Sequence, residues 1–188
     1  MINRTYCIIY TLTFMALLQM CHPWCLRTTV NLTTSVDKVD WAIDGTYLAV
    51  TSSAANTVTV YDTINYFNVL TYTPAGGTAR VARFNRNSSI LAVGVSNGRV
   101  DLLSGKPPFS STPITTFSPH NKNTVDLGFN YADDKLLTCY SDDDKFKITD
   151  SWSLASRTTR EKDIGDRQMA CKWSKNDDVA IANDDKKV

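Results

Sequence analysis

The chain has 188 residues, of which 43% are apolar and 21% charged, with 20 basic side chains against 19 acidic ones. This composition excludes a disordered polyelectrolyte and is ample for a buried core. A net charge of +1 excludes a global electrostatic pull toward nucleic acid or an anionic membrane. Of the five cysteines, only Cys139 and Cys171 lie beyond residue 25. No disulfide framework is therefore expected, and the thiols read as buried or free in a reducing compartment.

Residues 1–25 differ from all that follows. Arg4 precedes the apolar run Tyr6–Cys21, diluted by Thr and Gln. A secretory h-region takes about 7–15 residues and a membrane span about 20, and no small-residue cleavage site follows the run. The segment is read as an apolar leader, signal-like or unstructured. Asn31-Leu32-Thr33 and Asn87-Ser88-Ser89 are glycosylation acceptors only in the secretory case. Cys21, His22 and Cys25 lack the second ligand pair that zinc requires, so no metal is expected there. The cytoplasm is the expected location, with the secretory pathway by way of residues 1–25 as the alternative.

From residue 26 the chain falls into a repeat. Aromatic residues at Trp41, Phe84, Phe129 and Trp173 are spaced by 43, 45 and 44 residues. Each is followed by a polar turn (IDGT, RNSS, ADDK, KNDD) and a second apolar strand: YLAV at 47–50, ILAV at 90–93, KLLT at 135–138 and VAIA at 179–182. A third strand is expected at 57–62, 99–103 and 145–150, with Val58/Val60, Val100/Leu102 and Phe146/Ile148 pointing inward. A fourth is expected at 26–30, 69–74, 114–119 and 156–160, with Pro74 and Pro119 ending two of them. The clearest copy is Val81–Leu103, where three short alternating runs are separated by NRNSS and SNG. Four short strands recurring at this interval match the blade period of a β-propeller, about 40–45 residues. The expected fold is all-β: a partial β-propeller of about three and a half four-stranded antiparallel blades over residues 26–188, preceded by the apolar leader.

Over that span the chain resembles the WD-repeat family. Tyr61-Asp62 stands where the Trp-Asp dipeptide belongs, Thr149-Asp150 echoes it, and Leu102-Leu103 lacks the aspartate. Ala75-Gly76-Gly77 keeps only the glycine of the interblade Gly-His pair, and Pro119-His120 only the histidine. The family's Trp/Ser/His/Asp network is therefore not assembled in any one unit, and apolar packing has to hold the blades. The resemblance implies that residues 26–30 form an outer strand that later pairs with the last blade. Three and a half blades leave unpaired edges. A fragment of a larger propeller is the expectation, beside a closed four-bladed ring or an edge-paired dimer.

Catalytic chemistry is sparse. His22 and His120 are the only histidines, neither in a nucleophile-elbow setting, and Ala75-Gly76-Gly77-Thr78 lacks the spacing and lysine of a phosphate loop. Asp142-Asp143-Asp144 offers carboxylates for calcium, but it falls at a strand-to-strand turn, as do Asp133-Asp134 and Asp177-Asp178, where aspartate serves the backbone. Trp41 and Trp173 are assigned to the core. No catalytic residue, cofactor or metal is expected. The WD-repeat resemblance implies a non-catalytic protein–protein interaction scaffold, and Arg83, Arg86, Arg99 and Trp152 are the candidate contact residues. Partners are expected to be other proteins. Nucleic acid and small molecules are not expected, and a membrane enters only if residues 1–25 are an anchor. The alternative is a secreted or membrane-anchored propeller that binds a ligand or acts as an enzyme.

Overall fold

In the computed structural model the described residues are 16–21, 26–141, 145–149, 159–163 and 167–183, and all regular structure among them is β. The first complete sheet consists of β3 (Lys38–Trp41), β4 (Tyr47–Ser52), β5 (Thr57–Asp62) and β6 (Asn68–Tyr72). The second consists of β7 (Ala79–Phe84), β8 (Ile90–Val95), β9 (Val100–Ser104) and β10 (Thr115–Phe117). The third consists of β11 (Thr124–Phe129), β12 (Leu136–Tyr140), β13 (Lys145–Thr149) and β14 (Thr159–Asp163), and a pair follows, β15 (Gln168–Trp173) with β16 (Val179–Asn183). Every sheet is antiparallel with strands in chain order. The expected three and a half blades are therefore present.

The sheets stack face to face. Val58, Val60, Leu70 and Tyr72 of the first sheet meet Ala82, Phe84, Leu91, Val93 and Leu103 of the second. Val81, Ala92, Val100 and Leu102 on the other face of the second sheet meet Leu127 and Leu136 of the third. Leu137, Cys139, Phe146 and Ile148 then meet Cys171, Val179 and Ile181. A strand covered on both faces must be apolar without alternation. This explains why β8, Ile-Leu-Ala-Val-Gly-Val, is buried at five of its six positions. Gly94 is needed there, since a Cβ would lie 2.5 Å from Thr124 Cγ2 in the next sheet. The inward positions expected for the third strands are the ones found in these interfaces.

Three features differ from expectation. The aromatic residues close the first strand of each sheet instead of opening it. The strand residues before them, such as Lys38-Val39-Asp40, mix charged with apolar side chains and give no apolar signature. Secondly, Leu26–Leu32 forms β2, and its partner among the described residues is β1 (Ala16–Cys21), from the apolar segment. Val30 and Leu32 lie against Leu48, Val50 and Tyr61 on the outer face of the first sheet. Thirdly, Cys139 and Cys171 are not free thiols. They form a disulfide between β12 and β15, with Cα atoms 6.3 Å apart. Facing sheets bring together two residues that sequence separation keeps 32 positions apart.

Candidate functional site

The innermost strands β3, β7, β11 and β15 stand side by side, β7 against β3, β11 against β7 and β15 against β11. Among the described residues there is no comparable packing of β15 on β3. The inner face of the arc is polar. Arg83 donates from Nη1 to Val39 O at 3.2 Å and from Nη2 to Asp126 Oδ1 at 3.1 Å, so one guanidinium ties three consecutive sheets. Lys38 Nζ donates to Val125 O at 2.6 Å and lies 3.4 Å from Asp126 Oδ1. Asp40 accepts the Phe84 N–H at 2.8 Å. Burial pushes the Asp40 carboxyl above its ordinary range, against the Phe84 N–H and Arg83, and burial pushes the Lys38 ammonium below its own, against Asp126. These groups hold the blades to one another.

At the end of the arc where first strands turn into second strands, the aromatic positions line a groove of about 400 Å³. Trp41, Ile43, Arg86, Tyr131, Trp173 and Lys175 contribute to it. The equivalent turn positions Gly45, Ser88, Asp133 and Asp177 all take left-handed φ, between 58° and 73°, at the spacing of the repeat. In each unit the residues that line the groove come just before this turn position. Two of the turns clasp their neighbours: Asp133 accepts the N–H groups of Arg86 and Asn87 at 2.7 and 2.9 Å, and Asp177 accepts from Asn130 Nδ2 and from Lys135 Nζ at 3.1 Å. Bonds from Lys135, then Asn130, hold the Asp177 carboxyl below the usual carboxylate range. The Arg86 guanidinium lies 3.4 Å from the centroid of the Tyr131 ring, a cation–π contact.

Trp41 is 45% exposed, Tyr131 47% and Ile43 66%. The core assignment of Trp41 is thereby corrected. Phe84, Phe129 and Trp173 each pack toward the preceding sheet, and Trp173 donates its indole N–H to Gly128 O at 2.9 Å. No inner strand precedes β3 among the described residues, so the equivalent face of Trp41 is uncovered. Ile64 and Phe67, in the turn between β5 and β6, are exposed at the same end of the first sheet.

The three arginines singled out from sequence do not form one patch. Arg83 is an interior tie between sheets. Arg86 is exposed and faces the groove. Arg99 sits at the opposite end of the second sheet, where Nη2 donates to Asp101 Oδ2 at 2.9 Å and Nε is 2.8 Å from Oδ1. Tyr72 donates its hydroxyl to the same carboxylate at 2.7 Å, joining the first sheet to the second. Trp152, Asp142-Asp143-Asp144, His22 and Cys25 lie outside the described residues. His120 is buried, stacked on Tyr140 with Nε2 3.5 Å from Thr138 Oγ1, a structural position. The aspartate clasps and the exposed face of Trp41 were missed from sequence, although the repeat of Gly45, Ser88, Asp133 and Asp177 was the available signal. No protein-family model matches this chain, and no curated protein matches it.

Proposed function

We propose that the protein is a non-catalytic, WD-like scaffold that binds partner proteins through the aromatic groove at the ends of its innermost strands. The observation that carries this reading is the exposure of Trp41, Ile43 and Tyr131 together on a rigid rim, beside the cation of Arg86. Large apolar side chains that a chain leaves uncovered in one place mark contact surfaces, and aromatic residues and arginine dominate the energy of such contacts. The occupant that fits is an extended peptide segment with apolar side chains for the groove and a carboxylate for Arg86 and Lys175. The retained contact between His120 and Thr138 supports the WD-like reading. Of the four residues proposed from sequence, Arg86 stays in the site, and Trp41, Ile43 and Tyr131 join it.

Selection from a displayed random-peptide library on the wild-type protein tests the proposal. Selected peptides are expected to bind Trp41→Ala and Tyr131→Ala at least about tenfold more weakly, a loss of about 1.4 kcal/mol or more. Both variants should unfold within about 0.5 kcal/mol of wild type, as exposed substitutions do. Peptides that bind both variants as tightly as wild type would exclude the groove.

The Cys139–Cys171 bond favours a second reading, in which the scaffold works in an oxidising compartment reached through residues 1–25. Among the described residues no helix is long and apolar enough to cross a membrane. In this reading Asn87, exposed in the turn between β7 and β8, carries a glycan. Expression in a eukaryotic secretory host followed by glycosidase digestion should give a mobility shift that Asn87→Gln reduces. Protein recovered only inside the cell, unshifted by glycosidase, would count against this route.

A further inference from the structure

Equivalent residues of successive units line the aromatic groove, and they do so in a fixed order. Each unit contributes its aromatic position and the residue two places on: Trp41 with Ile43, Phe84 with Arg86, Phe129 with Tyr131, and Trp173 with Lys175. Because β3, β7, β11 and β15 stand side by side in that order, the second members run apolar, cationic, aromatic, cationic along the groove. Building on the peptide-binding reading, we propose that the groove takes a polyproline II segment with two carboxylates about six residues apart and an apolar side chain about three residues from each.

The two cations are available for such a ligand. The Arg86 and Lys175 side chains are exposed, and among the described residues neither is paired with a carboxylate. The carboxylates around them are taken: Asp133 by the N–H groups of Arg86 and Asn87, Asp177 by Asn130 and Lys135, Asp178 by Ser174, and Asp40 by the Phe84 N–H. At 3.4 Å from the Tyr131 centroid the Arg86 guanidinium packs by its face, which leaves its N–H edge for an incoming carboxylate. The spacing selects the backbone. Packed sheets lie about 10 Å apart. A polyproline II helix returns a side chain to the same side every three residues, a rise of about 9.3 Å, so it advances one turn per sheet. A β-strand returns one about every 6.6 Å and falls out of step by the next sheet. Arg86 and Lys175 belong to units two sheets apart, hence the interval between the carboxylates. Tyr131 lies between them, and Trp41 with Ile43 lies beyond Arg86, where the apolar side chains fall.

Fluorescence anisotropy of the full chain with the labelled decapeptide Leu-Pro-Pro-Glu-Pro-Pro-Leu-Pro-Pro-Glu, and with its reversed sequence, tests the proposal. One of the two is expected to bind saturably. Placing the glutamates two residues apart at constant composition should weaken binding about tenfold, since only one can then meet a cation. Lys175→Glu and Arg86→Glu, both exposed substitutions that should melt with wild type, should each weaken it about tenfold. Lysine in place of the terminal glutamate should recover the loss in Lys175→Glu and not that in Arg86→Glu. Should neither decapeptide bind while library-selected peptides still bind in a Trp41-dependent way, the polyproline pattern falls and the groove reading stands. Failure of both kinds of peptide sinks both. Equal binding of the two-apart peptide, or no recovery in the swapped pair, would also overturn the proposal.

Discussion

Asp101→Ala is expected to destabilise the protein by about 3–5 kcal/mol, the cost of removing one partner from a buried charged pair. Asp101 has no exposed surface, its carboxylate accepts from the Tyr72 hydroxyl and from Arg99 Nη2, and Arg99 Nε lies 2.8 Å from its other oxygen as an ion pair. Alanine leaves the half-buried guanidinium and the phenol of the neighbouring sheet without an acceptor. Tyr72→Phe removes only one donor, and about 1–2 kcal/mol is expected from it. Burial, and then the bond to Asp101, push the Tyr72 hydroxyl above its ordinary pKa. An acid whose folded pKa is raised contributes stability that is complete below its unfolded value and is lost as pH rises toward the folded one. The stability gap between wild type and Tyr72→Phe should therefore be constant near neutrality and shrink above about pH 10. Urea unfolding at several pH values measures both effects. A cost below about 1 kcal/mol for Asp101→Ala would place this carboxylate in water, not between sheets.

The parts of the fold legible in the sequence are those fixed by local chemistry. Val81–Leu103 announced β7, β8 and β9 because short apolar runs and Asn/Ser/Gly turns are properties of adjacent residues. The spacing of Trp41, Phe84, Phe129 and Trp173 announced the stacking of copies. What stayed hidden depends on which sheet faces which. Arg83 reads as a solvent-facing cation from strand alternation, yet the side of β7 it occupies is met by Asp126 of the next sheet and Val39 of the previous one. Asp133 and Asp177 read as ordinary turn residues, and they are. Their carboxylates acquire a second task only because the turns of neighbouring blades lie against each other. Trp41 shows the converse, a repeated core position that no inner strand covers among the described residues. The candidate site was thus visible as positions, while its burial and exposure were properties of the array.

Converting both Cys139 and Cys171 to serine is expected to cost about 3–4 kcal/mol, from the loop entropy that a crosslink removes from the unfolded chain. The bond spans 32 residues, between the 15- and 100-residue loops for which about 3 and 4.7 kcal/mol are typical. For a chain of this size each kcal/mol lowers the melting temperature by about 2–4 °C, so a fall of about 6–16 °C is expected. The loss should be uneven. Among the described residues the β15–β16 pair has two strands where the complete sheets have four, and it meets the third sheet through Cys139, Cys171, Phe146, Ile148, Trp173, Val179 and Ile181. Hydrogen exchange should therefore accelerate in β15 and β16 while β7–β9, covered on both faces, stay protected. Because Trp173 and Lys175 line the aromatic groove, its β15 side should loosen with them, and peptide affinity should fall even though neither cysteine touches the peptide. Both cysteines are buried in the folded chain, so alkylation in denaturant without reductant, followed by peptide mapping, distinguishes the bonded from the reduced form. Alkylation of both cysteines in protein purified without reductant, or a double variant that melts with wild type, would refute the crosslink. A variant that loses stability yet keeps full peptide affinity would separate the staple from the groove.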